Sequence, residues 1–223
     1  MYGRGKFIIR NIISAIVAIL IVIFSFLAIF NIAFNIIYTK RDVIGFSMQP
    51  TLNTHMTDRE KVGDIVYVNQ FADVNVGDVV VAEVKWWDCS IIKRLVGKPG
   101  DTVKLAIEND KYALYCNDKL LYTRPADFET VSYCSKTITY VNTFPNSYFD
   151  ENNNFYIELQ ENEYFLMGDH WTSSMLDCLS RGPVKKSEII GRVEILIKEN
   201  EKNKIHSLGK SLIHLIFGKK VSL

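Results

Sequence analysis

An uncharged stretch from Asn11 to Thr39 most limits what this chain can fold into. Residues 12–30 are almost entirely Ile, Val, Leu, Phe and Ala, and the stretch exceeds the roughly 20 residues that a helix needs to cross a bilayer. Because it is apolar on every face, it does not suit a core helix. It is also longer than the roughly 7–15 apolar residues of a cleaved signal peptide. The sequence therefore predicts a permanent transmembrane anchor at residues 11–39.

Charges flank this anchor on both sides. They are Arg4, Lys6 and Arg10 before it and Lys40, Arg41 and Asp42 after it. Cytoplasmic loops carry an excess of Lys and Arg, and the N-terminal side has the larger excess. We therefore expect residues 1–10 to be a short cytoplasmic N-terminus of a single-pass protein of the cell membrane. Everything after the anchor would be extracytoplasmic, with the lipid bilayer as a partner.

The overall charge is nearly balanced, with 26 Lys and Arg against 25 Asp and Glu and a net charge of +1. We expect no nucleic-acid partner, because nucleic-acid binding usually needs a clearly basic domain. The cysteines at positions 89, 116, 134 and 178 show no CxxC spacing, so we expect no zinc site and no thioredoxin-like motif. Because the sequence has no acidic or His/Cys clusters, we expect no metal and no cofactor. A Cys116–Cys134 disulfide is conceivable outside the reducing cytosol. The alternative is that all four cysteines are free.

After Thr39 the sequence changes to short apolar runs separated by turn residues. Short runs bounded by Gly, Pro, Asn and Asp are typical of β-strands. They lie at residues 65–68, 79–81, 91–96, 112–115, 137–141, 155–159, 164–167 and 191–197. There is no alternation of strands with helices, so we predict a mostly β domain over residues 40–200.

Two segments depart from this strand pattern. Residues 123–154 are polar and contain several asparagines, which predicts an insertion or a small subdomain. Residues 201–223 place Ile and Leu at helical spacing among lysines, which predicts a basic amphipathic tail. This tail is too short to span a bilayer, and it could lie on the membrane surface or pack on the domain.

Ser47 and Lys93 are the candidate catalytic residues. Ser47 follows the anchor closely, but a serine is a weak nucleophile until a base takes its proton. Lys93 continues the apolar run Ile91-Ile92, where burial would lower the pKa of its amine and make it a useful base. Serine–lysine pairs are an established variant of nucleophile–base catalysis. The alternatives are an ordinary loop serine and an edge-strand lysine that points to solvent.

Four motifs, taken together, resemble those of the bacterial type I signal peptidases. In chain order they are Ser47-Met48-x-Pro50-Thr51-Leu52, Gly63-Asp64-Ile65-Val66-Tyr67-Val68, Lys93-Arg94 with Gly97-x-Pro99-Gly100-Asp101, and Met167-Gly168-Asp169-His170 followed by Ser174, Asp177, Ser180, Arg181 and Gly182. They occur in the order of that family behind an N-terminal anchor and cover most of residues 42–195. The resemblance implies a mostly β catalytic domain that removes signal peptides from secretory precursor proteins at the membrane surface.

The resemblance also implies roles for the two candidate residues. Ser47 would be the nucleophile that forms an acyl-enzyme, and Lys93 would be its general base. The backbone N–H of Ser47 would contribute to the oxyanion hole.

Residues 167–182, the last of these motifs, would supply the supporting groups. We call them the third motif, because the run Gly63–Val68 is counted as a strand motif between the first two. By this resemblance, Ser174 would orient the lysine amine, although Ser180 could take that role because the spacing is longer than usual. Asp169 and Arg181 would form a structural ion pair, with Asp177 in support.

His170 stands where that family usually has asparagine. The endoplasmic-reticulum type of the same enzyme replaces the lysine with histidine, which makes His170 a rival base. However, His170 does not occupy the position of the replacement base, and Lys93 stands in the expected Lys-Arg pair. Lys93 therefore remains the predicted base.

Two other functions share some of these sequence features. A self-cleaving repressor-type protease uses the same Ser–Lys pair, but it carries a DNA-binding domain where this chain has a membrane span. A catalytically impaired, membrane-tethered β binding module is a hypothesis of a different class. The altered third motif is its support.

Overall fold

The structure is a computed structural model, and it describes residues 2–85, 88–125, 144–174 and 176–201. The chain divides into two compact units, Met1–Thr39 and Lys40–Leu223.

The first unit is built on one long helix, α1 (Tyr2–Ile37). Its segment Phe7–Ile37 has 31 residues and a mean hydropathy of 3.2. At about 1.5 Å per residue it is longer than the roughly 30 Å hydrocarbon core of a bilayer, so its length and composition allow it to cross a membrane. The predicted anchor ran to Thr39, but the helix ends at Ile37 and a strand begins at Tyr38.

The second unit is built mainly from antiparallel strands, so the mostly β prediction is confirmed. Twelve strands lie in the described part of the chain: β1 (Tyr38–Ile44), β2 (Val62–Asn69), β3 (Val79–Val84), β4 (Cys89–Gly97), β5 (Thr102–Glu108), β6 (Lys111–Cys116), β7 (Lys119–Pro125), β8 (Ser147–Phe149), β9 (Phe155–Glu158), β10 (Glu163–Met167), β11 (Val184–Lys185) and β12 (Ile189–Ile197). A short helix, α2 (Cys178–Arg181), and three 3₁₀ turns at Trp171–Ser173, Lys186–Glu188 and Glu199–Glu201 complete the described elements.

The strands form two sheets. The larger has the order β1-β2-β12-β3-β4-β10-β11, and the smaller has the order β7-β6-β5-β9-β8. Strand β4 lies inside the larger sheet between β3 and β10, with Lys93 opposite Val80 and Arg94 opposite Val79. A central position between two strands supplies hydrogen bonds on both sides, so β4 is a rigid base for its side chains.

Two buried clusters hold this unit together. The main cluster joins both sheets, with Leu95 and Phe165 from the larger packing against Leu105, Leu114 and Phe155 from the smaller. Burying each Leu or Phe side chain stabilises the fold by about 1.5–3 kcal/mol relative to leaving it exposed. The second cluster lies on the larger sheet and consists of Val43, Met48, Leu52, Val66, Val68, Val79, Val81 and Val193.

Seven of the eight predicted strand segments lie in observed strands, while strands β1, β5, β7, β8 and β11 were not predicted. The eighth predicted segment, 137–141, lies outside the described residues. Both β8 and the end of β7 fall within the predicted insertion at 123–154, whose residues 126–143 are not described. Cys116 is buried on β6, whereas Cys134, with which a disulfide was conceivable, lies outside the described residues. The same holds for nearly all of the predicted tail at 201–223.

Candidate active site

Ser47 lies in the turn that follows β1. Gly45 has a φ of +84°, in the region that favours glycine, and it starts the turn. Behind Ser47, Met48 and Leu52 are almost fully buried in the second cluster, and the Leu52 N–H donates to the Met48 carbonyl at 2.9 Å. The turn is therefore fixed to the core by the residues after the serine, while Ser47 itself stays half-buried.

Hydrogen bonds of a buried Asn53–Asp64 pair also fix this turn. The Asn53 N–H donates to the Asp64 carboxylate at 2.8 Å, and the Asp64 N–H donates to Asn53 Oδ1 at 2.7 Å. Asn53 Nδ2 also donates to the carbonyls of Val43 at 3.2 Å and Gly45 at 2.9 Å. These bonds satisfy polar groups that would otherwise be buried at a cost, and they set the position of the chain just before Ser47.

Lys93 meets the serine from the middle of β4. Its side chain is 5 % exposed, and Nζ lies 2.7 Å from Ser47 Oγ, within hydrogen-bonding distance. The described residues place no carboxylate within ion-pairing distance of this amine. A buried amine without a paired carboxylate is poorly solvated in its charged form.

The surroundings of Lys93 favour the neutral amine. Burial lowers the pKa of Lys93, and the negative charge of Asp177 is the largest of the opposing effects. Because the net direction is downward, the amine releases its proton at a lower pH than an ordinary lysine does. A neutral amine 2.7 Å from a hydroxyl can accept the proton of that hydroxyl.

Arg94, the next residue of β4, is buried to the same degree but is paired. Its Nε donates to Asp169 Oδ1 at 2.7 Å, and its Nη2 donates to Asp169 Oδ2. Burial by itself would lower the pKa of Arg94, but the hydrogen bond and charge of Asp169 outweigh it and raise the pKa. Thr51 Oγ1 also donates to Asp169 Oδ2. The pair therefore ties β4 and the Ser47 turn to the third motif.

The predicted Asp169–Arg181 ion pair is replaced by this arrangement. Arg181 is the last residue of α2 and is exposed, and its side chain forms no ion pair with Asp169. Arg94 is the better placed of the two arginines because it enters from a neighbouring strand at the level of the carboxylate.

The third motif also contacts the Ser47 backbone directly. The His170 N–H donates to the Ser47 carbonyl at 3.0 Å. At Gly168, a Cβ atom would lie 2.2 Å from Ser174 Oγ and 2.5 Å from the Ser47 carbonyl oxygen, so only glycine fits. The His170 ring does not reach the serine hydroxyl: its Nε2 lies 3.5 Å from Thr172 Oγ1, and its buried Nδ1 has no partner among the described residues. The structure thus brings Lys93, and not the rival His170, to Ser47 Oγ.

Ser174 and Ser180 occupy different places. Ser174 is buried, lines the same cavity as Ser47 and Lys93, and donates to Asp177 Oδ2 at 2.7 Å. Ser180 lies in α2, where its Oγ takes part in a capping box with Asp177 and donates to the Asp177 carbonyl at 3.0 Å. Asp177 therefore links the helix cap to the serine that faces the cavity.

A cavity of about 520 Å³ opens beside the Ser47–Lys93 pair. One wall is the end of β1 with the Ser47 turn, and the other is the first half of β4 with part of the third motif. A volume of this size admits a short extended peptide, and the apolar side chains of Val43, Ile44, Ile91 and Ile92 line it.

Sequence reasoning missed three contributors to this site: Arg94, Thr51 and Arg124. Arg124 of β7 donates from Nη2 to the Asp169 carbonyl at 2.9 Å. Arg94 had a usable signal, because an arginine within an apolar strand needs a buried carboxylate, and Asp169 is the carboxylate of the third motif. Arg124 had no such signal, because every residue type has a backbone carbonyl and the sequence therefore does not show which one accepts.

Comparison with known proteins places this chain in a family. A family model described as "Signal peptidase, peptidase S26" matches residues 10–197. Signal peptidase I U of Bacillus subtilis (strain 168) is 30 % identical over 177 residues, which cover 77 % of this chain and 83 % of that protein. Signal peptidase I S of the same strain is 31 % identical over 157 residues, covering 70 % and 75 %. A signal peptidase I of Streptococcus pneumoniae serotype 4 is 37 % identical over 99 residues, covering 44 % and 41 %.

Proposed function

Because the chain belongs to the peptidase S26 family of signal peptidases, we propose that it is a membrane-anchored serine endopeptidase that removes signal peptides from exported precursors. We propose Ser47 as its nucleophile and Lys93 as its general base. The observation that carries this proposal is the 2.7 Å contact between Ser47 Oγ and a buried lysine amine whose pKa is lowered by burial.

The first half of the reaction forms an acyl-enzyme. Neutral Lys93 takes the proton of Ser47 Oγ while that oxygen attacks the carbonyl carbon of the scissile peptide bond. Negative charge then develops on the carbonyl oxygen. We assign its stabilisation in part to the Ser47 N–H, which donates to no backbone carbonyl among the described residues. When the C–N bond breaks, the protonated lysine gives its proton to the leaving amine.

The second half releases the enzyme. Lys93, neutral again, takes a proton from water as the water oxygen attacks the ester carbon. The second tetrahedral intermediate collapses, and Lys93 returns the proton to Ser47 Oγ. No step of this cycle calls on a metal or organic cofactor.

Ser174 supports the pair better than Ser180 does. It lines the same cavity as Lys93, and Gly168 allows it to lie close to Ser47. Asp177 holds its hydroxyl, and Asp169 with Arg94 holds the third motif against β4. In this proposal Arg181 acts only at the end of α2.

The membrane arrangement completes the proposal. Helix α1 would anchor the protein in the cell membrane with residues 1–10 in the cytoplasm, so that the β unit works on the extracytoplasmic side. Precursors whose signal peptides lie in the same membrane would present an extended segment to the cavity, where edge-strand pairing gives affinity.

The test is cleavage of a signal-peptide-bearing precursor by the full chain in detergent or in proteoliposomes. Ser47→Ala and Lys93→Met should each lower kcat by at least about 10³-fold, because removing either member of such a pair disables both. Ser90→Ala, which changes a hydroxyl in the same cavity, is the matched control and should stay close to wild type. Wild-type rates in both dyad variants would refute the proposed roles.

A further inference from the structure

Arg124 connects the smaller sheet to the third motif. It lies on β7, the edge strand of that sheet, and its Nη2 donates to the backbone carbonyl of Asp169 at 2.9 Å. The Asp169 carboxylate is already taken by Arg94 and Thr51, so Arg124 binds the peptide group and not the side chain.

The peptide group that Arg124 binds is the one that binds Ser47. Its oxygen is the Asp169 carbonyl, and its N–H is that of His170, which donates to the Ser47 carbonyl at 3.0 Å. A donor on the oxygen of an amide polarises the amide and makes its N–H a stronger donor. Two hydrogen bonds through one rigid peptide plane therefore link the guanidinium of Arg124 to the backbone of Ser47.

We propose that Arg124 is a positioning residue for Ser47, acting through the Asp169–His170 peptide. The catalytic importance of this contact rests on the function proposed above, but the contact itself does not. Arg124 touches no reacting atom in this proposal. It holds the Ser47 backbone in the position at which Oγ meets Lys93.

A second contact of the same strand supports this view. Tyr122, two residues earlier and on the same face of β7, places its ring 5.9 Å from the Arg94 guanidinium. Strand β7 therefore contacts both the Arg94–Asp169 pair and the peptide that follows Asp169. The smaller sheet therefore contacts the third motif through Arg124 and its ion-pair partner Arg94 through Tyr122, although none of its described residues lines the cavity beside Ser47.

The direct test is amide hydrogen exchange at His170 in the full chain in detergent. Arg124→Met should speed exchange of this amide about tenfold, the effect of losing about one net hydrogen bond. Arg124→Lys should retain most of the protection, because a lysine can also donate to a single carbonyl. Lys119→Met removes an exposed charge from the same strand and should leave the exchange rate unchanged. Equal exchange in Arg124→Met and wild type would overturn the inference.

The kinetic test separates positioning from general stability. Arg124→Met should lower kcat about tenfold with KM unchanged, since a small displacement of the nucleophile slows the chemical step. Arg124→Lys should recover most of the rate. The acid limb of the pH profile should not move, because Arg124 is not among the charges that shift Lys93. An altered KM, or equal losses in the two variants, would contradict a positioning role.

The two tests fail in different ways. If the wild type cleaves no precursor, the proposed function fails, while the exchange rate of the His170 amide still decides whether Arg124 holds this peptide.

Discussion

Lys93 and Arg94 are neighbours on β4, both 5 % exposed, yet their surroundings shift their pKa values in opposite directions. Successive residues of a strand project to opposite faces, so each side chain meets a different environment. Among the described residues, Lys93 meets Ser47 and no carboxylate within ion-pairing distance, and its pKa is lowered. Arg94 meets the Asp169 carboxylate through two donors, and its pKa rises.

The difference shows that burial alone does not decide what a cation does. A buried cation with a carboxylate partner keeps its charge and joins elements together, whereas one without such a partner is driven toward the neutral form. Under the proposed mechanism, one strand therefore supplies both a structural and a reactive group. The same contrast implies opposite effects on stability when either side chain is removed.

The largest effect is expected for Arg94→Met. This variant leaves the buried Asp169 carboxylate without its cation and should lower the free energy of unfolding by about 3–5 kcal/mol. Arg94→Lys keeps the charge but cannot reproduce the two-donor geometry, so its loss should be smaller. Pulse proteolysis of the full chain across a urea series in detergent measures both. A loss below about 1 kcal/mol for Arg94→Met, within the range of an exposed ion pair, would mean that the two cations are not energetically distinct.

For Lys93→Met we expect the opposite change, an increase in the free energy of unfolding. Removing a poorly solvated amine should raise the free energy of unfolding at neutral pH by about 1–3 kcal/mol, and the half-buried Ser47 hydroxyl can turn to water in the cavity. The folded-state pKa is lowered, so between it and the ordinary lysine pKa the unfolded chain binds more protons. Wild-type stability therefore rises with pH in that window, and the advantage of the variant should shrink there.

The same urea series, repeated at several pH values, checks this sign. Lys111→Met, at an exposed position of β6, is the control and should stay within about 0.5 kcal/mol of wild type at every pH. If Lys93→Met is less stable than wild type at pH 7, burial of the lysine amine does not destabilise the folded protein.

The contrast between the two cations was only half visible in the sequence. The motif around Ser47 and the apolar run before Lys93 predicted the pair that the structure brings together. Arg94 stood in the same motif as Lys93, but the Asp169 carboxylate was assigned to Arg181 from the sequence, whereas the structure pairs it with Arg94. Local spacing cannot identify a partner 75 residues away, because strand register and the path of the third motif decide which arginine reaches the carboxylate.

The fold was predictable to a similar extent. Apolar runs bounded by turn residues marked most strands of the larger sheet. Strand β1 was missed because Lys40, Arg41 and Asp42 occupy its middle, and charged residues are uncommon in strands unless one side is open to solvent, as on this edge strand. Strand β7 was missed in part because its end merges with the polar 123–154 segment, which concealed the residue that reaches Asp169.

The smallest effect is expected for Asp177→Asn, which tests whether the Asp177 charge affects the pKa of Lys93. The Asp177 charge opposes the lowering of the Lys93 pKa, so removing it should lower that pKa further. Under the proposed mechanism, the acid limb of kcat/KM against pH then moves to lower pH, because neutral lysine persists in more acidic solution. Asparagine still caps a helix well, so α2 should be retained.

Asp42→Asn is the control, because it removes an exposed carboxylate that lines the same cavity but is not among the charges that shift the pKa of Lys93. An acid limb that moves equally in both variants, or upward in Asp177→Asn, would show that Asp177 does not set the state of the lysine.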